Sequence, residues 1–178
     1  MPVPLSQPPQ AGPVAAFALR LDGFLLRLTS GLAVLGMCAL VVAIAVVVGD
    51  IVWRRLGGGS FIGSVDLTQF SVMIAVSMAI PYTFATAGHV SVDLLTGVFS
   101  HRVNQALDIC AALAGAVITA FLSWLSAGRA REIWSYGDVS QDLAIPMIWF
   151  WGALVAGLAL STIICLVRVM RLMSTQRR

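Results

Sequence analysis

The chain has 178 residues, of which 59% are hydrophobic and 11% are charged, and its mean hydropathy is +0.93. Because about a quarter of the residues in a soluble domain are charged, this composition excludes an ordinary soluble protein and indicates an integral membrane protein. The 11 basic residues, all of them arginine, and 8 acidic residues give a formal net charge of +3, which attraction to anionic lipid explains without any nucleic-acid partner.

Two segments precede the first long apolar stretch. Residues 1–13 contain five prolines and are predicted to form a disordered tail. Residues 14–27 have apolar side chains at helical spacing, with Arg20 and Arg27 on another face. This pattern predicts an amphipathic helix that lies on the membrane, with both arginines facing lipid headgroups. The alternative is that residues 14–27 simply extend the first transmembrane helix.

Four uncharged windows follow, at 28–49, 67–88, 109–128 and 143–167. A helix that rises about 1.5 Å per residue needs about 20 apolar residues to cross about 30 Å of hydrocarbon, so each window can span a bilayer. We therefore predict an all-α integral membrane protein with a four-helix transmembrane domain at 28–167 and a basic cytoplasmic tail at 168–178. The connectors are too short for an extramembrane domain, which takes at least about 50 residues.

The arginines favour an orientation in which both termini are cytoplasmic, because cytoplasmic loops carry an excess of basic residues. The seven arginines then inside are Arg20, Arg27, Arg102, Arg168, Arg171, Arg177 and Arg178, and the four outside are Arg54, Arg55, Arg129 and Arg131. Trp53 and Trp134 fall near the outer boundary, where we expect their amphipathic rings to face the lipid headgroup zone. Contact of Arg54 and Arg55 with lipid headgroups is favoured over contact with a soluble partner.

Small residues recur at four-residue steps in the second window, a pattern typical of close helix packing in lipid. The stripe consists of Ser71, Ala75, Ala79, Thr83 and Ala87. Such a stripe packs either within the chain or against a partner, and we expect internal packing. Pro81 interrupts the same window and is predicted to kink the helix.

Features of several function classes are missing from the sequence. No window has a charge at its centre, and both histidines, His89 and His101, lie near a boundary. A self-sufficient ion transporter usually places ionisable groups near mid-membrane, and a membrane haem protein needs histidines within its spans. Motifs for a serine nucleophile, zinc or a phosphate loop are also absent. We predict no enzymatic activity and no metal or cofactor site, and a quinone- or haem-linked enzyme is the weakest alternative.

Short motifs flank the second and fourth windows. Asp66 directly precedes the second window, and a His-x-x-x-Asp segment, His89 to Asp93, directly follows it. A Gly-Asp-Val-Ser segment at 137–140 and a Leu-Ala-Ile-Pro segment ending at Pro146 lead into the fourth. Together with the four-span layout, these motifs resemble the small membrane subunit, of DctQ type, of tripartite ATP-independent periplasmic (TRAP) transporters.

The agreement with this family varies along the chain. The segment from His89 to Asp93 is similar to the family's His-hydrophobic-x-Val-Asp pattern. Asp66 stands where the family more often has Glu. Gly157 fits a glycine of the last span, although Ala156 replaces the proline that frequently precedes it.

The resemblance implies a multi-pass subunit of the bacterial inner membrane that has no transport pathway of its own. It would bind a large multi-span membrane subunit that carries the substrate and sodium sites, while a periplasmic substrate-binding protein delivers an organic acid. The chain would serve as the fixed scaffold, or stator, against which the transport domain moves. A self-contained homo-oligomeric transporter or channel is the alternative, because Ser, Thr and backbone groups can line pores.

The same motifs supply candidate site residues. On a helix, His89 and Asp93 would share one face and could form a charge-assisted hydrogen bond; the alternative is a hydrated helix end. We expect this pair, with Asp66 and Arg102, to hold loop geometry or to contact the large subunit. Further structural or interface candidates are Pro146 and Gly157.

Overall fold

The computed structural model describes residues 13–59, 61–86 and 101–176. Within these ranges the chain forms four α-helices: α1 (Pro13–Arg55), α2 (Ser64–Thr86), α3 (His101–Tyr136) and α4 (Ile148–Gln176). Each is long and apolar enough to cross a membrane. The prediction of an all-α protein with four transmembrane helices is confirmed.

The helix boundaries differ from the predicted windows at two places. Helix α1 runs without a break through 14–27 and the first window; its 43 residues measure about 65 Å, roughly twice the hydrocarbon thickness. The structure therefore has no helix boundary between the predicted surface helix and the first span. Helix α4 begins at Ile148, not at residue 143, because the residues before it belong to a hydrogen-bonded loop.

The helices alternate in direction, and α4 lies at the centre of the bundle. It packs against α1, α2 and α3, while α1 also packs along α2. Residues 56–59 and 61–63, between α1 and α2, and residues 137–147, between α3 and α4, lie together at one end of the bundle, called the loop end below. The start of α1 and the end of α4 consequently lie at the opposite end.

The contact between α2 and α4 depends on a proline and a glycine. Pro81 is fully buried within α2, and because it has no N–H, the carbonyl of Ser77 lacks its usual helical donor. That carbonyl faces Gly157 of α4. A methyl group on Gly157 would overlap the Ser77 carbonyl oxygen and lie 2.9 Å from the carbonyl carbon. The two backbones can approach this closely only because Gly157 has no side chain.

Hydroxyl groups inside the bundle are satisfied by neighbouring carbonyls or by each other. Ser77 donates to the carbonyl of Met73 at 2.7 Å, and Thr119 donates to that of Gly115 at 2.8 Å. Thr162 of α4 also donates to the Thr119 hydroxyl of α3 at 3.0 Å. These bonds allow polar side chains to lie within an apolar bundle and give α3 and α4 a direct hydrogen bond.

The small-residue stripe of α2 does not stay on one side of the bundle. Ser71 and Ala75 are buried, whereas Ala79 and Thr83 are exposed, and Ala87 lies outside the described residues. Each four-residue step turns about 40° around a helix with 3.6 residues per turn, so the stripe rotates out of the interior. Among the four described residues of the stripe, internal packing thus involves only Ser71 and Ala75.

Candidate functional site

Asp66 connects α2 to the distant loop between α3 and α4. It lies in the first turn of α2 and is only 4% exposed. Its Oδ2 atom accepts the backbone N–H groups of Asp142 at 3.0 Å and Leu143 at 2.8 Å, and the side chain of Ser140 lies beside the same carboxylate. The start of a helix also favours a negative charge. One carboxylate therefore holds two consecutive residues of the second loop through their backbone N–H groups.

The loop at 137–147 is itself compact. The N–H of Ser140 donates to the carbonyl of Ile145 at 2.9 Å, and that of Met147 donates to Asp138 at 3.0 Å. The chain reverses at Ala144, which has a φ of 53°. A non-glycine residue in this left-handed region costs about 1–2 kcal/mol. The bonds to Asp66 offset that cost and keep the loop in one conformation.

A second carboxylate holds the loop between α1 and α2. Asp50, in the last turns of α1, is 8% exposed. Its Oδ1 accepts the N–H of Phe61 at 2.7 Å, and its Oδ2 pairs with Arg54 at 2.6 Å. The two loops also touch, since a methyl group on Gly63 would lie 2.5 Å from Cγ of Leu143. The positive φ of Gly63, 88°, likewise favours glycine there.

The exposed side chains at the loop end are apolar, aromatic and cationic. Its exposed large side chains include Trp53, Leu56, Phe61, Ile62, Trp134, Tyr136 and Trp149. Its arginines are Arg54, Arg55, Arg129 and Arg131, of which Arg129 pairs with Glu132 at 2.8 Å. Such a mixture of rings and guanidinium groups suits the headgroup zone of a membrane. Both buried carboxylates serve structural hydrogen bonds here.

Several predicted site residues are brought to this end of the bundle. Asp66 and Pro146 both belong to it, and Pro146 lies in the loop that Asp66 holds, bridged to Val139. Trp53 and Trp134 are exposed there. Gly157 lies deeper, at the contact between α2 and α4.

Other predicted site residues lie elsewhere. His89 and Asp93 lie outside the described residues. Arg102 lies in the first turn of α3, but its side chain is outside the described set. Arg20 and Arg27 are exposed along the first half of α1.

Two residues of the site were missed by the sequence analysis. Asp50 directly follows the first uncharged window, and Arg54 four residues later is at a spacing that favours a helical ion pair. Ser140 ends the Gly-Asp-Val-Ser segment. No sequence signal connects it with Asp66, because the two are distant in the chain.

Among the residues that the structure describes, no three His, Cys, Asp or Glu side chains are grouped in a way that could hold a metal ion. The arrangement supports rigid positioning of the loops. Its polar groups bond to backbone amides and to one guanidinium group.

The sequence that forms this bundle and its loop end matches a known protein family. The family model for the DctQ component of tripartite ATP-independent periplasmic transporters matches residues 43–175. The chain belongs to the DctQ family. The matched range includes Asp50, Asp66, the 137–147 loop and Gly157. No match was found among curated proteins or among solved structures.

Membership confirms the family resemblance seen in the sequence. This DctQ-family protein is a transporter component and a multi-pass protein of the bacterial inner membrane. Proteins of the family are generally not catalytic and form part of tripartite transporters, together with a large membrane component and a periplasmic binding component.

Proposed function

We propose that this chain is the non-catalytic small membrane subunit of a secondary, sodium-driven, binding-protein-dependent TRAP transporter for organic acids. In that role it acts as a stator for the large transport subunit. The observation that carries the proposal is the DctQ match over 43–175, which covers α2 and α3 entirely, α4 except its last residue and the last 13 residues of α1.

The packing of the bundle supports a scaffold role. A stator has to resist deformation while a neighbouring domain moves. The contact of Gly157 with the Ser77 backbone and the bond between Thr119 and Thr162 join α4 to two other helices. At the loop end, Asp50 and Asp66 limit the movement of both connectors. Tight backbone contact and satisfied polar groups give a rigid unit in lipid.

We propose that the exposed half of the α2 stripe packs against the large subunit. Ala79 and Thr83 are exposed in this chain, and small residues at helical spacing permit close approach of another transmembrane helix. His89, Asp93 and Arg102 follow this half of the stripe in sequence, so we propose that they continue the same interface at the cytoplasmic boundary.

The orientation with both termini cytoplasmic is likewise proposed. It would place the loop end at the periplasmic boundary, with four arginines there and seven at the other end. Residues 14–27 would then meet the cytoplasmic leaflet. Because α1 is one continuous helix, the tilt of the whole helix determines how much of residues 14–27 lies in the membrane–water interface.

The test is affinity purification of the tagged chain from its native membrane in mild detergent, followed by mass spectrometry. Recovery of a stoichiometric partner with many more spans is the expected result. Recovery of this chain alone, as a defined oligomer in several detergents, would contradict the proposal and favour a homo-oligomeric transporter or channel.

Transport itself is tested in proteoliposomes that contain both membrane subunits and receive the binding protein outside. We expect uptake of an organic acid to require a sodium gradient and all three proteins. Equal uptake without this chain would contradict the stator role, and uptake by this chain alone would favour the alternative.

A further inference from the structure

A groove with an apolar part and a cationic end lies between α1 and α2 at the loop end. Its apolar part has a volume of about 300 Å³. The main lining residues are Ala45, Gly49, Phe61, Ile62, Leu67 and Leu143. Asp50 lies at its polar end and also borders a second hollow, which is lined by Ile51, Arg54 and Arg55.

The groove lies beside the contact between α1 and α2, near their connecting loop. In the middle of the bundle they are in close contact, since a methyl group on Gly36 would lie 3.0 Å from the carbonyl oxygen of Ala75. Gly49 lies nearer the loop and on a different face of α1 from Gly36, and a methyl group there would meet nothing within 4 Å. Phe61, whose backbone N–H donates to Asp50 at 2.7 Å, forms part of one wall of the groove. The hydrogen bond to Asp50 holds this part of the wall in place.

The charges at the polar end favour an anion. Asp50 and Arg54 form an ion pair at 2.6 Å, and Arg55 beside them is exposed. One carboxylate and two guanidinium groups give this cluster a net charge of +1. Arginine binds phosphate oxygens through two parallel N–H groups. Trp53, next to the cluster in sequence, is also exposed. Tryptophan rings are enriched in the headgroup zone of a membrane.

We propose that this groove is a binding site for one anionic phospholipid. An acyl chain lies along the apolar part between α1 and α2, and the phosphate is bound by Arg55 with Arg54 beside it. The ligand fits because its apolar and anionic parts are joined in the same order as the apolar and cationic parts of the groove. The inference does not depend on the proposed transport function, since it needs only the membrane setting and the groove.

The test is native mass spectrometry of the purified full-length chain in detergent micelles doped with phosphatidylglycerol or with phosphatidylcholine. We expect one phosphatidylglycerol to bind at least about tenfold more tightly than phosphatidylcholine. Gly49→Leu fills the apolar part, and Arg55→Gln removes the exposed guanidinium group. Each is expected to weaken phosphatidylglycerol binding about tenfold.

Two matched variants serve as controls. Gly31→Leu makes the same change at an exposed glycine of α1 where a methyl group also meets nothing within 4 Å. Arg131→Gln removes an exposed arginine of α3 outside the groove. Neither is expected to change lipid binding, and circular dichroism confirms folding of all four variants.

Three results would overturn the proposal. One is equal binding of the two lipids, and another is equal loss of binding in the control variants. The third is loss in Gly49→Leu without loss in Arg55→Gln, which would indicate an apolar groove that takes any acyl chain or a helix of another subunit.

Discussion

The Ser77 carbonyl of α2 lies directly against the backbone of Gly157 in α4, in a contact that leaves no room for a side chain on α4. Pro81 contributes to this contact because it removes the N–H that would otherwise bond to the Ser77 carbonyl. The missing hydrogen bond at the Ser77 carbonyl of α2 and the missing side chain at Gly157 of α4 therefore occur at the same contact. The contact joins α2 to α4, the helix that also packs against α1 and α3.

The first prediction concerns that junction. Gly157→Ala should destabilise the folded chain by about 1–3 kcal/mol, because the added methyl group forces α2 and α4 apart. The measurement is reversible unfolding in mixed detergent micelles. Gly152→Ala is the matched control, since a methyl group there meets nothing within 4 Å, and it should be neutral or slightly stabilising. Equal stability of the two variants would contradict the contact.

The second prediction concerns the hold of Asp66 on the distant loop. Asp66→Ala should leave the N–H groups of Asp142 and Leu143 without their acceptor, at a cost of about 1–3 kcal/mol. Amide hydrogen exchange of residues 138–147 should become faster, while exchange in the middle of α4 stays slow. Asp142→Ala, which removes an exposed carboxylate of the same loop, should leave the exchange unchanged. Unchanged protection in Asp66→Ala would show that the loop holds its shape alone.

The third prediction concerns the hydroxyl pair between α3 and α4. A double-mutant cycle with Thr119→Val and Thr162→Val should give a coupling energy of about 0.6 kcal/mol, the usual size for a hydrogen bond between membrane helices. The substitutions keep the β-branched shape and remove only the bonding group. Unfolding in detergent measures the four proteins of the cycle. Strictly additive effects would mean that the two hydroxyls act through their own helices alone.

The fourth prediction separates the two halves of the α2 stripe. Ala75 is buried against α1, so Ala75→Leu should destabilise the isolated chain by about 1–3 kcal/mol. Ala79 is exposed, so Ala79→Leu should leave the isolated chain stable but reduce co-purification of the large subunit. Full recovery of the partner with Ala79→Leu would remove the exposed half of the stripe from the proposed interface.

The fifth prediction tests orientation. Single cysteines are introduced at Ile62, which is 82% exposed in the first loop, and at Met173 near the end of α4, with the three native cysteines replaced by alanine. A membrane-impermeant maleimide added to intact cells with a permeabilised outer membrane should label Ile62→Cys and spare Met173→Cys until the inner membrane is opened. The reverse pattern would invert the proposed topology.

The number of spans could be predicted from the sequence because apolar length is a local property. A run of about 20 uncharged residues can form a transmembrane helix whatever its neighbours are. The motifs around Asp66, Pro146 and Gly157 could also be recognised as belonging to the family, since they are read directly from the order of residues.

The start of α4 could not be predicted in the same way. Residues 143–147 are apolar and uncharged, so by composition they belong to the fourth window. In the folded chain the N–H groups of Asp142 and Leu143 bond to Asp66, which is distant in sequence. Once these groups have that acceptor, the backbone follows the loop and the helix begins at Ile148.

Apolar length and family motifs, both readable along the chain, were sufficient to predict a four-span DctQ-family protein. Which faces meet was decided only by the tertiary structure. Packing set which side of α2 faces the bundle, aligned the Ser77 carbonyl with Gly157 and joined Asp66 to a loop from the other half of the chain. The physical reason is that hydrogen bonds and backbone contacts depend on distances of a few ångströms in space, and separation along the sequence does not fix those distances.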